Sequence, residues 1–162
     1  MSIPGYPGEY TAHVDTFARD NLPPPAEWPL LKFERPELQY PARLNCGAVL
    51  CDDAVAEGHG GRVALYSDGG NWTYSELLER ANRIANVLVN ELGVVPGNRV
   101  LLRAPNSPML AAAWLATMKA GAVAVTTMPL LRAKELAQIA IKARIDHALC
   151  DARLVAEMTA TT

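Results

Sequence analysis

Apolar residues recur every three or four positions after Trp72, which is the spacing of one face of an α-helix. Thr73 and Glu76 stand in the order of a capping box, and this predicts that the helix begins here. Gly93 follows the last apolar position and suits the left-handed residue that closes a helix. The pattern therefore predicts an amphipathic helix that buries Leu77, Ala81, Ile84, Leu88 and Leu92.

Strands and helices alternate in the residues that follow. Arg99–Arg103 predicts a short strand with an apolar centre, and Ser107 and Pro108 suit the cap and first position of a helix that stops at Gly121. Short connections indicate parallel strands with right-handed crossovers, so we expect an open, mostly parallel, doubly wound α/β sheet with flanking helices. The other predicted elements are a strand at 122–126 with helices on both faces, a helix at 133–143, a strand at 147–150 and a helix capped by Asp151.

Residues 1–44 have a different character. Eight of the twelve prolines lie within the first 45 residues, which predicts an extended proline-rich arm. Within it, Thr11–Leu22 favours a short helix with Val14, Phe17 and Ala18 on its apolar side. We therefore expect an arm over residues 1–44 and a partial α/β subdomain over residues 45–162.

Glycine-rich segments separate the arm from the first long helix. Asn45 is predicted to cap a helix that Gly58 closes, and Asp68-Gly69-Gly70 is a hairpin signal between two short strands. Neither Gly58–Gly61 nor Asp68–Gly70 resembles a phosphate loop, because no strand leads through it into a helix and no Lys-Ser/Thr pair follows. Both are predicted turns.

Composition and charge limit the number of domains, the kinds of partner and the location of the protein. The chain has 162 residues, half of them apolar, which suits one domain with a real core. A net charge of −2 with both signs dispersed gives no electrostatic case for nucleic acid or an anionic membrane. The start of the chain has no apolar signal region, and the run Met109–Met118 is too short to span a bilayer. These features predict a cytoplasmic location.

Few residues suggest chemistry. The three cysteines have no C-x-x-C spacing and are predicted to be reduced, partly buried thiols. Asp52 and Asp53 are adjacent, so on a helix they do not face each other, and a solvated surface is the expectation. The histidines are scattered and predict no metal site; with the cysteines, these residues are His13, His59, His147, Cys46, Cys51 and Cys150.

The loops after the parallel strands are better candidates, because ligands of open α/β sheets bind beyond the carboxyl ends of strands. These loops are Ala104–Ser107 and Thr126–Leu131. Asn106 and Thr127 are the candidate contacts to a ligand or to a neighbouring domain. Helix capping and loop closure are the alternative roles, and Asn and Ser serve them more often.

Four segments and one proline follow one another along the chain: Trp72–Leu77, Leu92–Val100, Pro105–Pro108, Lys119–Val123 and Pro129. In this order and spacing they resemble the adenylate-forming superfamily of acyl- and aryl-CoA ligases, adenylation domains and luciferases. The resemblance covers residues 42–151, and Asn98 stands where the family usually has Asp. A narrower likeness to benzoate and 2-aminobenzoate CoA ligases lies in 22–29, 38–41, 44–46 and 130–136.

The resemblance implies a reaction for a parent enzyme. Such ligases join a carboxylate to ATP, release pyrophosphate, and transfer the acyl group to coenzyme A. It implies ATP with magnesium and coenzyme A as cofactors, and a small aromatic acid of the benzoate or 2-aminobenzoate type as substrate. The family's phosphate-binding, adenine-binding, ribose-binding and catalytic-lysine motifs lie beyond the matched region, so no catalytic or cofactor-binding residue is assigned here.

The chain therefore resembles an N-terminal fragment of such an enzyme. We expect the fragment to be inactive, to bind no cofactor tightly, and to self-associate through apolar surface meant for the rest of its parent. Three alternatives remain: a complete, non-catalytic flavodoxin-like binding module, an aliphatic acyl-CoA ligase, and a peptide-synthetase adenylation domain. The sequence leaves the particular acid and the oligomeric state open.

Overall fold

A computed structural model describes residues 11–30, 32–41 and 43–160. The amino-terminal part begins with one helical turn, and wide helical turns then lead into a small antiparallel hairpin. The elements in this part are α1 (Phe17–Asp20), 3-10 turns at Pro25–Glu27 and Pro36–Leu38, π-type turns at Ala48–Asp52 and Val55–His59, β1 (Val63–Leu65) and β2 (Trp72–Thr73).

The remaining residues form an α/β unit. Its elements are α2 (Tyr74–Asn86) with a π-type extension Val87–Glu91, β3 (Arg99–Arg103), α3 (Pro108–Lys119), β4 (Val123–Thr127), α4 (Ala133–Ala143), β5 (His147–Cys150), a 3-10 turn Ala152–Leu154 and α5 (Val155–Thr159).

The main sheet is parallel, in the order β4-β3-β5. Val100 of the central strand stands opposite Ala124 on one side and His147 on the other. The chain moves outward from β3 to β4 and then crosses back to β5. Because right-handed crossovers in opposite directions place their helices on opposite faces, α3 and α4 flank the sheet from both sides. The expected parallel α/β fold is confirmed.

One face of β3 forms the centre of the core. Val100 and Leu102 are buried there against Leu88 of the α2 extension and Ala113 and Ala116 of α3. A second cluster joins the π-type turns to α2 and α3, which lie side by side. Its buried residues are Cys51, Leu77, Ala81, Ala112 and Leu115.

Helix α2 begins as its sequence predicts. The Thr73 amide donates to the Glu76 carboxylate at 2.8 Å, and the Glu76 amide donates to the Thr73 hydroxyl at 3.3 Å. Gly93 has a positive φ of 67° after the helix. The prediction that Leu92 faces the core is wrong, since Leu92 is 45% exposed. The π-type turns have more residues per turn than an α-helix, which rotates Leu92 away from the apolar stripe.

The predicted start and end of α3 are also confirmed. Ser107 accepts a hydrogen bond from the Leu110 amide at 3.2 Å, and Gly121 has φ 72°. The strand predicted at 122–126 lies one residue later, and its expected cover on both faces is incomplete because its residues are half-buried and Thr126 is exposed. β4 is an edge of the sheet, which explains the difference.

The arm departs most from its prediction. Only Phe17–Asp20 of the helix expected over 11–22 is helical, and Val14 is 71% exposed. The amides of Val14 and Asp15 instead donate to the Pro96 carbonyl, each at 2.9 Å, and the chain bends at these two residues. The prediction of a partly buried thiol is wrong for Cys46, which is exposed, whereas Cys51 is buried and Cys150 half-buried.

Two smaller predictions are confirmed. Asn45 accepts from the Ala48 amide at 3.2 Å, and Gly58 closes the π-type turns with φ 86°. β1 and β2 pair antiparallel, with Val63 opposite Thr73, on either side of the predicted turn. Among the described residues, none of the helices has the length and apolarity needed to cross a bilayer.

Candidate functional site

The candidate loops follow the carboxyl ends of the three parallel strands and therefore lie together at one end of the sheet. Ala104–Ser107 follows β3, Met128–Leu131 follows β4, and Asp151 follows β5. Asp151 also donates its amide to the Arg103 carbonyl at 2.8 Å, which joins the ends of β3 and β5. This edge is where an open parallel sheet binds ligands.

Arg103 organises this edge, and the sequence analysis missed it. Its side chain is 1% exposed at the last position of the central strand. The guanidinium donates to the carbonyls of Met128 at 3.1 Å, Pro129 at 3.0 Å and Leu131 at 2.8 Å. It thereby fixes the loop after β4. The available signal was a cation at each end of a short strand with an apolar centre.

Thr127 takes part in this sheet edge through its hydroxyl. Its Oγ1 donates to the Leu102 carbonyl at 3.2 Å, and the residue is half-buried. The bond ties the end of β4 to β3, which is loop closure of the kind weighed as the alternative role. A contact from Thr127 to a ligand remains a prediction.

Asn106 lies in a different place. It is exposed, and within the described ranges its side-chain amide makes no hydrogen bond. It lines a groove of about 610 Å³ between the start of α3 and the β1–β2 turn. Ser107, Ser67 and Asp68 share this lining, whereas Thr127 does not. The structure therefore does not bring the two candidate residues into one pocket.

A smaller cavity of about 200 Å³ opens between the ends of β3 and β5. Aliphatic side chains make most of its wall, and Ser107, Cys150 and Asp151 supply the polar groups. Burial raises the pKa of the Cys150 thiol, so it stays protonated near neutral pH. Hydrogen bonds from Arg153 lower the pKa of Asp151 to about 2, so its carboxylate is already engaged. Neither residue is poised as a nucleophile or general base.

The two arginines near the strand ends already have protein partners. The buried cation at the strand ends, Arg103, is occupied by backbone carbonyls, and Arg132 pairs with Glu157 at 2.8 Å. No group of three His, Cys, Asp or Glu side chains in these ranges is arranged to hold a metal ion. The strand ends therefore carry polar loops held by Arg103.

The chain is similar to two benzoate CoA ligases and to a synthetase. A crystal structure of a benzoate CoA ligase from Burkholderia xenovorans superimposes with a TM-score of 0.68 and 30% identity, over 74% of this chain and 24% of that one. The benzoate–CoA ligase of Thauera aromatica is 31% identical over 59% of this chain and 18% of its own length. Triostin synthetase I of Streptomyces triostinicus is 38% identical over 50% of this chain and 15% of its own.

A family model described as AMP-binding enzyme matches residues 52–162. The fold of the sheet and this match over more than half of the chain define the class, and the chain belongs to the family of AMP-binding enzymes. The resemblance noted in the sequence is thereby confirmed. The chain spans roughly a sixth to a quarter of the length of the relatives named above.

Proposed function

We propose that this chain is the N-terminal portion of an ATP-dependent aryl-CoA ligase. The complete enzyme would join an aromatic carboxylate of the benzoate or 2-aminobenzoate type to coenzyme A. The observation that carries this proposal is the match to benzoate CoA ligases both in sequence and in three-dimensional structure. The arm, residues 1–44, and the α/β subdomain, residues 45–162, would be its first two segments.

The proposed reaction has two steps. The carboxylate oxygen attacks the α-phosphorus of ATP and displaces pyrophosphate, which gives an acyl-adenylate. The thiol of coenzyme A then attacks the acyl carbon and displaces AMP. ATP with magnesium supplies the activated phosphate when bound. Residues beyond this chain would bind it, because the sequence of this chain holds no phosphate-binding loop.

Within that enzyme, this chain would supply scaffold and polar contacts. Arg103 would hold the loop after β4 in place, and Asn106 and Thr127 would contact the ligand or an adjoining domain. Asn106 is the better placed of the two, since its amide is exposed in a groove. Thr127 has only its remaining lone pairs to offer, because its hydroxyl proton is bonded to Leu102.

Related chemistries are the alternatives. Similarity to triostin synthetase I favours a peptide-synthetase adenylation domain as the second candidate, and an aliphatic acyl-CoA ligase is the third. All three make an acyl-adenylate and differ in the acid they accept. Membership of the AMP-binding family disfavours a non-catalytic flavodoxin-like module.

Pyrophosphate exchange on the product of the whole reading frame tests the proposal. We expect ATP–pyrophosphate exchange with benzoate or 2-aminobenzoate, and aryl-CoA formation when coenzyme A is added. Octanoate and a mixture of amino acids are the matched controls. Exchange supported only by amino acids, with no CoA product, would replace the aryl ligase with the adenylation domain.

The isolated 162-residue chain is the second arm of the same test. We expect no exchange and no binding of MgATP tighter than about millimolar in calorimetric titration, because the sequence holds no phosphate-binding loop. Micromolar binding would show that this chain carries a nucleotide site of its own.

A further inference from the structure

The arm contacts the sheet at the amino ends of its strands, opposite the carboxyl ends that carry the candidate site. The Asp15 carboxylate pairs with the guanidinium of Arg99 and accepts a hydrogen bond from the Asn98 amide at 2.9 Å. The Arg99 side chain is only 5% exposed, and that of Asp15 is 22% exposed. This ion pair joins residues 84 positions apart in the chain.

The backbone of the arm also packs closely against the backbone of the Pro96–Gly97 turn. The Pro96 carbonyl accepts from the Val14 and Asp15 amides. Gly97 has φ 93°, and any side chain there would overlap the Asp15 carbonyl oxygen. The turn therefore requires glycine both for its conformation and for the approach of the arm.

Phe17 provides the second anchor. Its ring lies 4.9 Å from the guanidinium carbon of Arg99 and 4.6 Å from that of Arg144. The Phe17 amide donates to the Asp15 carboxylate at 3.0 Å, so the Asp-x-Phe segment is held in one shape by its own hydrogen bond. A carboxylate and an aromatic ring two residues apart thus meet two arginines.

The chain between this anchor and the core is exposed. From Leu22 to Cys46, every described residue except Trp28 and Leu38 is exposed, whereas Asp15–Arg19 are half-buried. Domain swapping, in which two copies exchange the same segment, needs a specific contact for that segment and an exposed linker that joins it to the core.

We propose that the Pro96–Arg99 turn, together with Arg144, is a docking site for an Asp-x-Phe segment that a second copy of this chain can supply in place of its own arm. A tethered arm has an effective concentration of the order of millimolar, so the unaltered chain keeps its own arm at ordinary concentrations. Exchange becomes visible once the tethered arm cannot bind. The proposal does not depend on ligase activity.

A substitution at Asn98 can prevent the arm from binding to the docking site without changing the Pro96–Arg99 turn. Its side-chain oxygen accepts from the Val95 amide at 2.9 Å, while its nitrogen donates to Asp15. Asn98→Asp keeps the oxygen and replaces the donor with a negative charge that faces the Asp15 carboxylate. The substitution should expel the arm and leave the turn intact.

Two variants of the 162-residue chain then form a complementary pair. In Asp15→Asn/Phe17→Ala the arm cannot bind but the docking site is unchanged. In Asn98→Asp the arm is unchanged but the docking site cannot bind it. Each variant, the unaltered chain and the equimolar mixture are compared by native mass spectrometry and by sedimentation velocity at equal total concentration. Circular dichroism checks that both variants are folded.

We expect a heterodimer in the mixture that is about tenfold or more enriched over either homodimer, equivalent to about 1.4 kcal/mol of specific contact. Adding Arg144→Gly to the arm-disabled partner should reduce this enrichment, because Gly keeps the left-handed backbone at φ 48° but removes one cation from Phe17. Equal amounts of heterodimer and homodimer, or no dimer in the mixture, would overturn the proposal.

Discussion

Arg99 and Arg103 stand at the two ends of the central strand, and both guanidinium groups are buried. They point to the face of β3 opposite Val100 and Leu102, since side chains alternate along a strand. Arg99 is neutralised by Asp15 and also donates to the Ala143 carbonyl at 2.8 Å. Arg103 has backbone carbonyls as its recorded partners, so its place is set by how the loops fold around it.

Arg103→Met should lower the free energy of unfolding by about 3 kcal/mol or more, because three carbonyls of the loop after β4 lose their donor inside the protein. Arg103→Lys should not restore the loss, since one ammonium cannot reproduce the fork of the guanidinium. Urea denaturation measures both. The matched control is Arg153→Met, whose side chain is 74% exposed, and a loss equal to that of Arg103→Met would contradict the buried role.

Asp15 gives the molecule an acid-sensitive contact. Hydrogen bonds from Arg99 lower the pKa of Asp15 from 3.8 to about 2, so the folded state favours the carboxylate. This stability is present in full above about pH 4 and is lost as the pH falls toward 2, and it amounts to at most about 2 kcal/mol.

Asp15→Asn should therefore destabilise the chain at neutral pH and flatten the dependence of stability on pH between about 4 and 2. Thermal unfolding followed across this range compares the variant with the unaltered chain. Asp151 titrates in the same window, and because it is present in both chains its contribution cancels in the difference. Parallel pH profiles for the two chains would show that the arm contact contributes nothing.

Helix ends are the element-scale features that the sequence predicts best. The capping box of α2 and the Ser107 cap of α3 depend on residues three positions apart, so the local chain determines them. Gly121 ends α3 with a positive φ and lies against Pro96, so this glycine serves both the helix end and the packing of the next loop.

Thr73→Ala should cost about 1 kcal/mol through the lost cap. Gly121→Val should cost more, because a β-branched residue resists the left-handed conformation and its Cβ would meet the Pro96 ring at 3.1 Å. Gly69→Ala is the control, since Gly69 has open space around it. Chemical denaturation compares the three variants, and equal losses would mean that the helix ends carry no special constraint.

At the scale of the whole molecule, the sheet is narrow and its edges are open. β4 and β5 each have one side without a strand partner in the described ranges, and neither carries an acidic side chain or a lysine. Leu130 is 80% exposed and Ile141 is 78% exposed. Uncharged edges and exposed aliphatic residues favour association with further protein.

We therefore expect the isolated chain to associate reversibly as its concentration rises. Thr126→Lys, which places a charge on the exposed edge strand, should weaken this association in sedimentation velocity. Thr159→Lys on α5 is the control for added charge alone. Asn98→Asp should leave the edge association unchanged, which separates it from exchange of the arm. A monodisperse unaltered chain across a wide concentration range would contradict the expectation.

The sequence by itself determined the elements of the α/β unit. Periodicity and caps predicted α2, α3 and α4, and short apolar runs predicted β3, β4 and β5, nearly all within a residue of their ends. These signals are readable because hydrogen bonds and side-chain spacing within a few residues produce them. Parallel pairing followed from the short connections, and the class of protein from the order of the motifs.

Tertiary structure alone decided the contacts between distant segments. Three sets of contacts join residues many positions apart: the amides of Val14 and Asp15 with the Pro96 carbonyl, the ion pair of Asp15 with Arg99, and the carbonyls around Arg103. No local pattern encodes such partners. Leu92 was misassigned because winding of the helix changed within one turn. Interactions within a few residues determine where helices and strands begin. Buried cations and carbonyls must instead find hydrogen-bond partners, and they become buried only once the chain has packed.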